Sequence, residues 1–443
     1  MGAGINAEVF ALPYKDGFIV YSPLAGRIIH ANAQCVSQLR DYLETGDIGV
    51  VSPEVVTRFG GLQWLHSPPP PVALPVDRHF HPTAATLFLT NRCNLRCLYC
   101  YARAGEFAAT DMSPAVYRSA INWVMNNARR TGFPAQVGFH GGGEPTLAWP
   151  ELVGAVEYAR GLAQDNEHPG VRFAIATNGV MSAEHREYVA STFESVTLSF
   201  DGPPDLQNRM RPLIHGQGSF EEVMAFVEVL VSHKTRFGIR STITNQNVGR
   251  MVEMIDYFTT QTGCKLLHFE PAFLNGRCCT MADAVPEPET FAEHFIKAMD
   301  RARERGADLR FSAARLADTF LSFCGCALDP FSITPTGDVT ACFEVCDRHD
   351  PLATDFHFGH FDESTGRFNI DVARLSRLRS LTVDNKPLCT KCVAKWSCSG
   401  DCPVKGRQPF SLPEAESRRC RMIQTITRAM LERAVENAPC RAC

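Results

Sequence analysis

The stretch "TLFLTNRCNLRCLYCYA", residues 86–102, joins a short apolar run to three closely spaced cysteines. The run TLFLT is rich in β-branched and aromatic residues, which predicts a buried strand. Cys93, Cys97 and Cys100 then follow at C-x3-C-x2-C spacing, one thiol short of the four ligands that usually close a tetrahedral metal site. The stretch therefore predicts a strand that leads directly into an incomplete metal site.

This strand begins a strand-helix alternation that repeats six times along the chain. Each later strand candidate is short, rich in β-branched or aromatic residues, and followed by helical spacing: 135–140, 172–177, 195–200, 237–243 and 265–270. Such alternation predicts parallel strands with the helices outside, because crossover connections are right-handed. The predicted fold class is α/β, a partial (β/α)6 TIM-like barrel, and the loop after its first strand would lie at the mouth where barrels do their chemistry.

Two of the predicted helices have clear start signals. Ser113 is placed as an N-cap, with Pro114 at the first helical position. Ser219 and Glu222 have the spacing of a capping box. An apolar stripe at helical spacing follows this box: Val223, Phe226, Val227, Leu230 and Val231. The sequence therefore predicts amphipathic helices that begin at these two signals.

Composition divides the rest of the chain. The predicted parts are, in order, a small α+β N-terminal domain (1–67), a proline-rich linker (68–85), the barrel core (86–308), a cysteine-rich domain (309–425) and a C-terminal helix end with its tail (426–443). The N-terminal part contains a hairpin at 17–33, with β-branched runs on both sides of a turn. The last helix is expected at 413–436. The cysteine-rich part is short of apolar runs, so metal ligation is expected to hold it together.

Composition also excludes some classes of function. Among 443 residues, 45% are apolar and 21% are charged, which is ordinary for a globular protein. The net charge is -4 and no long basic run occurs, so nucleic-acid binding is not expected. No export signal or run of 18 apolar residues is present, which predicts a cytoplasmic protein without a membrane partner. Its 18 cysteines cluster at short spacings, which favours metal or redox chemistry in a reducing compartment.

With its flanking motifs, the three-cysteine loop resembles the signature of the radical S-adenosylmethionine (radical SAM) superfamily, including the aromatic Tyr99 before the third cysteine. "FHGGGEPTL" (139–147) is similar to the GGEP motif of that family, and "SFDG" (199–202) to its S-x-D-G segment. The resemblance implies a [4Fe-4S] cluster held by three thiolates, with S-adenosylmethionine on the fourth iron. A structural zinc site completed by a distant Cys or His is the alternative.

The resemblance also implies the residues that bind S-adenosylmethionine. Gly142, Gly143 and Glu144 would approach its ammonium group, and Ser199 with Arg211 would hold its carboxylate. Tyr99 and Asn178 complete the expected cofactor-binding set. Glu270, at the end of the sixth predicted strand, is a further candidate.

The cysteine-rich tail contains a C-x2-C-x5-C-x3-C pattern at residues 389–402. Its order of cysteines resembles the SPASM extension of radical SAM enzymes, which implies two auxiliary [4Fe-4S] clusters and three clusters in total. One cluster would be bound by Cys389, Cys392, Cys398 and Cys420. The other would be bound by Cys342, Cys402 and two more ligands, for which we favour Cys324 and Cys326 over the competing Cys346. A pair of zinc knuckles is the alternative.

Seven cysteines of the chain stand outside those ligand sets. Cys346 is the competing ligand, and four others are interpreted as packing residues: Cys35, Cys264, Cys278 and Cys279. Cys440 and Cys443 would either bind metal or lie in frayed chain, and the second reading is favoured.

SPASM enzymes typically act on peptides or proteins. The resemblance therefore implies a maturase that abstracts hydrogen from a ribosomal precursor peptide (a RiPP-type maturase), served by an electron donor such as flavodoxin or ferredoxin. The 1–67 part is similar to small winged-helix leader-peptide recognition domains. Phe343 stands where sulfatase maturases have a catalytic Asp, which disfavours sulfatase maturation as the activity of this chain. Glu344 is then left as a weak candidate base. The alternatives are a sulfatase-maturase-like enzyme, a small-molecule radical SAM enzyme and a non-enzymatic Fe-S electron carrier.

Overall fold

The structure is a computed structural model with fifteen strands and thirteen helices in the part of the chain that it describes. It describes residues 3–6, 8–66, 70–72, 75, 78–164, 169–281, 284–405 and 418–437. These residues form two compact units: 1–73 with 311–323 and 381–443, and 74–310 with 324–380.

Most of the strands are short. In chain order they are β1 (Ala3–Asn6), β2 (Val9–Tyr14), β3 (Gly17–Ser22), β4 (Arg27–Ala31), β5 (Ala84–Leu87), β6 (Ala135–Phe139), β7 (Val171–Thr177), β8 (Ser195–Ser199), β9 (Phe237–Ile243), β10 (Leu266–Pro271), β11 (Asp308–Arg310), β12 (Ser332–Ile333), β13 (Asp338–Thr340), β14 (His357–Asp362) and β15 (Arg367–Ile370).

The helices vary more in length. In chain order they are α1 (Ala33–Thr45), α2 (Pro53–Arg58), α3 (Pro114–Thr131), α4 (Trp149–Ala163), α5 (Ala183–Thr192), α6 (Pro204–Met210), α7 (Phe220–Ser232), α8 (Met251–Tyr257), α9 (Pro288–Glu304), α10 (Ala353–Phe356), α11 (Val372–Arg379), α12 (Lys395–Cys398) and α13 (Arg418–Asn437). None of the described helices is long and apolar enough to cross a membrane.

The second unit contains the predicted barrel sheet. Strands β5 to β10 are parallel neighbours in sequence order, as the six strand-helix repeats predict. A seventh parallel strand, β11, extends the sheet beyond β10. The fold class is therefore confirmed as α/β, with the partial TIM-like barrel of the prediction.

The sheet continues on its other side into residues that the sequence had placed in a separate domain. Strand β12 pairs in parallel with β5, and β13, β14 and β15 follow as antiparallel neighbours. The amide of Thr86 donates to the carbonyl of Phe331 at 2.9 Å. Phe331 also packs edge-on against Trp123 and Phe368, with ring centroids 5.1 Å apart in each pair. Strand pairing and an aromatic core therefore hold residues 332–370, and the expectation that metal ligation must do so is wrong for them.

In the first unit, residues 3–31 form an antiparallel four-stranded sheet in the order β1-β2-β3-β4. Side chains alternate between its faces, as they must in a strand. Val9 and Val20 belong to a core that also contains residues of α1 and α2, whereas Phe10 and Ile19 pack with Leu431 of α13. The C-terminal helix thus covers the second face of the N-terminal sheet, within the same unit. The boundary of an N-terminal domain at residue 67 stays a prediction. Part of the helix predicted at 413–436 lies outside the described residues.

The predicted helix starts have mixed outcomes. Ser113 and Pro114 occupy the N-cap and first position of α3 as expected, although the Ser113 side chain makes no capping bond. The capping box at Ser219 is wrong, because its backbone is helical (φ -103°, ψ -2°) and its hydroxyl has other partners. It donates to the carbonyl of Arg211 at 2.7 Å and accepts from the side-chain amide of Gln207 at 2.9 Å. Val231 is 52% exposed and does not join the apolar stripe of α7.

Candidate active site

The three-cysteine loop follows β5, at the carboxyl end of the parallel strands. The thiols lie close enough together to influence one another electrostatically. Burial raises the pKa of Cys93 to about 12, and the neighbouring Cys97 adds to this effect. Burial likewise raises the pKa of Cys97 to about 11. Thiols with raised pKa values, such as those of Cys93 and Cys97, fit an iron-sulfur cluster, because bound iron supplies the positive charge that stabilises thiolates.

Within the described ranges, no three His, Cys, Asp or Glu side chains meet in a geometry that could hold one metal ion.

A loop after β10 lies directly on the three-cysteine loop. A Cβ added to Gly276, which has φ +55°, would lie 2.2 Å from the carbonyl oxygen of Cys100. The next residue, Arg277, donates from its backbone amide to that carbonyl at 3.0 Å. Its guanidinium donates to the carbonyls of Cys97 at 3.0 Å and Ala104 at 2.6 Å. The loop after the sixth barrel strand thus fixes the backbone that carries the predicted cluster ligands.

The glycine-rich turn after β6 packs against the same loop from the other side. A Cβ on Gly143 would lie 2.1 Å from the carbonyl oxygen of Arg92 and 2.8 Å from its amide nitrogen. The amide of Glu144 donates to the same carbonyl at 2.8 Å. Gly142 has φ +69° and would also bring a Cβ within 3.0 Å of a backbone oxygen. Close packing against the cysteine loop is therefore a sufficient reason for glycine at both positions, beside any approach to a ligand.

The carboxylate of Glu144 is buried and well supplied with donors. It accepts hydrogen bonds from the hydroxyls of Thr177 at 2.7 Å and Thr146 at 2.9 Å, and from the amide of Asn178 at 2.8 Å. Burial raises its pKa, and these hydrogen bonds oppose that effect. The predicted contact of Glu144 with an ammonium group stays a prediction. In the protein itself, this carboxylate ties the turn after β6 to the end of β7.

Asn178 lies beside the first cysteine of the loop. Its side-chain amide donates to the side-chain oxygen of Asn94 at 2.8 Å, and its nitrogen lies 3.8 Å from the sulfur of Cys93. The end of β7 therefore contacts the predicted cluster ligand directly.

Tyr99, Asp201 and Arg211 form a second buried group at this mouth. The Tyr99 hydroxyl donates to the Asp201 carboxylate and accepts from Arg211 at 2.7 Å. Burial raises the pKa of Asp201, against the opposing effect of Arg211. The positive charge of Arg211 also acts to lower the pKa of the Cys97 thiol, against the effect of burial. The buried Nε of Arg211 makes no hydrogen bond among the described residues. A buried donor without a partner, next to the cysteine loop, suits an incoming carboxylate.

Ser199 is the last residue of β8, two residues before Asp201. Its neighbour across the sheet is Arg240 on β9, whose next neighbour is His268 on β10. His268 in turn bonds Glu270, with its Nε2 2.9 Å from the carboxylate oxygen. The structure thus brings together two predicted residues, Ser199 and Glu270, with two that the sequence analysis missed. Alternation along the predicted strands could have indicated Arg240, because it takes the inward position between buried Ile239 and Ser241.

A further group missed by sequence surrounds Tyr101, directly after the third cysteine. Tyr101 lies within electrostatic range of Cys346, Cys100, Glu344 and Arg240, and burial raises its pKa well above the usual value. Residue 343, where the base of sulfatase maturases was sought, is a 42% exposed phenylalanine. Its ring centroid lies 4.8 Å from that of His140. The mouth therefore has an aromatic wall at this point and a carboxylate one residue further on.

Four cysteines predicted to share one auxiliary cluster lie together in the first unit. Burial raises the pKa of Cys389 to about 11, and Cys392 and Cys420 add to the effect. Burial raises the pKa of Cys398 well above its usual value, and its neighbours, including Cys392 and Cys389, add to this effect. Its sulfur accepts a hydrogen bond of 3.1 Å from the amide of Asp401. This grouping matches the predicted ligand set, although the cluster itself stays a prediction.

The cysteines predicted for the other auxiliary cluster are divided between the units. Cys402 belongs to the first unit, and its sulfur accepts from the amide of Lys405 at 3.4 Å. Cys324, Cys326 and Cys342 belong to the second unit. Cys346 lies near Cys100, at the mouth of the barrel. Cys440 and Cys443 lie outside the described residues.

Comparisons with known proteins cover the part of the chain that contains the three-cysteine loop. Residues 87–258 match the family model of the Radical SAM superfamily. A cysteine-type anaerobic sulfatase-maturating enzyme of Clostridium novyi is 24% identical over 346 residues, which is 71% of this chain and 85% of that protein. An uncharacterized protein of Methanocaldococcus jannaschii is 29% identical over 188 residues, and the match spans 42% of this chain and 60% of the relative.

Solved structures share the fold. One described as native anSMEcpe with bound AdoMet and Cp18Cys peptide has a TM-score of 0.62 at 18% identity, over 80% of this chain and 99% of that one. Streptococcus suis SuiB bound to precursor peptide SuiA has a TM-score of 0.53 at 14% identity, over 92% and 97%. Residues 87–258 therefore form a radical SAM domain, and the relatives indicate that the chain is an enzyme. The chain shares its fold with the anSMEcpe and SuiB structures. A radical SAM domain implies a [4Fe-4S] cluster and S-adenosylmethionine.

Proposed function

We propose that this protein modifies a peptide by radical chemistry, abstracting a hydrogen atom from an unactivated C-H bond so that the product is oxidised or crosslinked. The observation that carries the proposal is the grouping of Cys93, Cys97 and Cys100 at the barrel mouth, beside the buried guanidinium of Arg211. Three thiols suit a cluster with one open iron. A cationic donor next to them suits the carboxylate of S-adenosylmethionine.

Cys93, Cys97 and Cys100 would hold a cluster that, when bound, would supply the electron for cleavage of S-adenosylmethionine to methionine and a 5'-deoxyadenosyl radical. The chain itself positions these partners. Arg277 and the glycine-rich turn hold the cysteine loop between them. Asn178 contacts Cys93, and the Tyr99 hydroxyl orients Arg211.

The proposal includes two auxiliary [4Fe-4S] clusters. The proximity of Cys389, Cys392, Cys398 and Cys420 supports one of them. The ligand set of the other, Cys342 and Cys402 with Cys324 and Cys326, rests on the resemblance to SPASM domains. Auxiliary clusters suit a reaction that must pass on an electron after hydrogen abstraction, and a flavodoxin or ferredoxin would supply the reducing electron.

A ribosomal precursor peptide is the proposed substrate. Two structures with the same fold have peptides bound, SuiA on SuiB and Cp18Cys on anSMEcpe. The four-stranded sheet of the first unit ends at β4, and an edge strand is a place where an extended leader segment can add as a further strand. A peptide substrate therefore fits both the fold and its N-terminal sheet.

The proposal is tested with anaerobically reconstituted, dithionite-reduced protein. We expect 5'-deoxyadenosine from S-adenosylmethionine, and none from a Cys97→Ala variant that keeps the tail's iron. A short precursor peptide encoded beside the gene is then added, and mass spectrometry should show a product lighter by two hydrogen atoms. Wild-type protein that carries the cluster and forms no more 5'-deoxyadenosine than Cys97→Ala would contradict the proposal and favour an electron carrier.

Sulfatase maturation is the second candidate, favoured by the sulfatase-maturating relative and by the shared fold. The chain departs from it at Phe343, which offers an aromatic ring in place of a carboxylate. Glu344 lies close to Tyr101, at the same mouth, and is the remaining candidate base. A peptide carrying the Cys-type sulfatase motif distinguishes the two functions, because its conversion to formylglycine by wild-type protein, lost in Glu344→Gln, would favour this candidate.

A further inference from the structure

The carboxylate of Glu8, directly before β2, binds two consecutive side chains of α12. It accepts hydrogen bonds from the Nζ of Lys395 at 2.8 Å and from the indole of Trp396. Lys395 also pairs with Asp384 at 3.1 Å, but that carboxylate is 47% exposed, whereas the side chain of Glu8 is 22% exposed. Trp396 is fully buried. Because a buried indole N–H needs an acceptor, Glu8 determines how α12 lies against the N-terminal sheet.

Helix α12 lies between two of the cysteines predicted to bind one auxiliary cluster. The amide of Lys395 donates to the carbonyl of Cys392 at 2.9 Å, and the amide of Cys398 donates to the carbonyl of Ala394 at 2.8 Å. The turn is therefore bonded to one predicted ligand and ends at the other. Side chains that bond the residues between metal ligands fix the positions of those ligands. A shift of α12 would thus change the separation of Cys392 and Cys398.

The same sheet also packs on α13, which carries the fourth predicted ligand, Cys420. Apolar residues of β2 and β3 form a core with Leu431 of α13, and Val393, directly after the ligand Cys392, packs against this core. Four residues after Cys420, the side-chain amide of Gln424 donates to the sulfur of Cys392 at 3.5 Å. The N-terminal sheet therefore contacts both segments that carry the predicted ligands.

We propose that the four-stranded sheet of the first unit supports an auxiliary cluster, and that Glu8 is a positioning residue for the cluster ligands on either side of α12. This role is distinct from peptide recognition, because it uses a face of the sheet and the turn before β2, whereas an added peptide strand would use an edge. The inference rests on the proposed function for the identity of the metal group, a [4Fe-4S] cluster at Cys389, Cys392, Cys398 and Cys420. The contacts of Glu8 would position the same thiolates around any metal group.

The test uses full-length Cys97→Ala protein, so that metal bound by the tail is measured without the cluster of the three-cysteine loop. Iron and zinc are counted after anaerobic reconstitution, and the potentials of the tail's EPR signals are titrated. We expect Glu8→Ala to lose about one four-iron cluster, because α12 no longer holds its ligands in place. Glu8→Gln should keep the iron, since its amide oxygen can still accept the indole bond. It should raise the reduction potential of one tail signal, because a negative charge is removed.

Tyr14→Phe is the matched control. It removes a 2.7 Å hydrogen bond between the same sheet and Glu436, at the far end of α13 from the predicted ligand. It should keep both the iron and the potentials, even if thermal unfolding shows the same loss of stability as in the Glu8 variants. Unchanged iron and potentials in both Glu8 variants, or equal changes in Tyr14→Phe, would overturn the inference.

The metal counts separate this inference from the proposed function. Zinc in place of iron in a tail with Glu8 intact would count against the auxiliary cluster alone, and loss of that zinc in Glu8→Ala would still support the positioning role. A tail that binds neither metal with Glu8 intact would overturn both.

Discussion

The guanidinium of Arg277 donates a hydrogen bond of 3.0 Å to the carbonyl of Cys97, across 180 residues of sequence. It also bonds the carbonyl of Ala104 at 2.6 Å and pairs with Glu106, and its side chain is only 13% exposed. This side chain therefore fixes the backbone between the predicted ligands. It also places a positive charge beside the Cys97 thiol.

Replacing Arg277 with Gln should loosen the cysteine loop and remove that charge. We expect a broader EPR signal from the reduced cluster and a lower reduction potential, because a cluster that gains negative charge loses a nearby cation. Potentiometric titration followed by EPR measures both. Arg103→Gln is the matched control, since Arg103 pairs with the same Glu106 from a 54% exposed position. An unchanged signal and potential in Arg277→Gln would show that this contact does not position the cluster.

Gly143→Ala should disturb the site through the backbone alone. The added Cβ would meet the carbonyl oxygen of Arg92 at 2.1 Å, where no flexible side chain can yield. We expect a loss of about 1–3 kcal/mol in the free energy of unfolding, and less iron retained by the cysteine loop. Gly161→Ala is the opposite control, because this exposed helical glycine has nothing within 4 Å of its Cβ position and should gain about 0.5–1 kcal/mol. Thermal unfolding that ranks the two variants equally would refute the packing argument.

Ser219→Ala should weaken the support of Arg211. The hydroxyl donates to the carbonyl of Arg211 and accepts from Gln207, both in the interior. Its removal leaves a buried carbonyl without that donor, at a cost of about 1–3 kcal/mol. Equilibrium dialysis should also show weaker binding of S-adenosylmethionine. Ser182→Ala removes the cap of α5, whose hydroxyl accepts from His185 at 3.2 Å, and should lower stability without changing that affinity. Equal effects of both variants on binding would contradict the role of Ser219.

Sequence patterns predicted the barrel strands because buried strands are continuous runs of β-branched and aromatic residues. The strands beyond the core were missed for a physical reason. β12 has only two residues, Ser332–Ile333, too few for any period to show, and it is stabilised by pairing with β5 far away in sequence. Composition at 309–425 shows many cysteines but not the partner strand that completes the sheet.

The candidate site shows the same limit. The ligands Cys93, Cys97 and Cys100 could be predicted because their spacing is local and unusual. Arg277 could not be distinguished from a surface arginine, because it acquires its role from carbonyls of another loop, those of Cys97 and Ala104. Ser219 was assigned to the wrong role for a related reason. A capping box is a local pattern, whereas its hydroxyl bonds a carbonyl eight residues earlier in the folded chain.

Two further thiols near the cysteine loop allow the number of ligands to be tested. Cys278 is 1% exposed and lies within electrostatic range of Cys100. Burial raises the pKa of Cys346 to about 12, and Cys100 adds to that effect. A thiol this close could in principle occupy the iron corner that S-adenosylmethionine needs. The C-x3-C-x2-C spacing instead predicts that only its own three cysteines bind.

Cys278→Ala and Cys346→Ala should therefore keep the cluster and its response to S-adenosylmethionine, because neither thiol is needed as a ligand. Cys93→Ala, Cys97→Ala and Cys100→Ala should each lose both. Iron content and the EPR spectrum of reduced protein, recorded with and without S-adenosylmethionine, check the five variants on equal terms. If Cys346→Ala lost the cluster while folding normally, the result would show that Cys346 binds the iron that the other three cysteines leave open. No iron would then be open to bind the amino and carboxylate groups of S-adenosylmethionine. The proposed cleavage of S-adenosylmethionine could not take place.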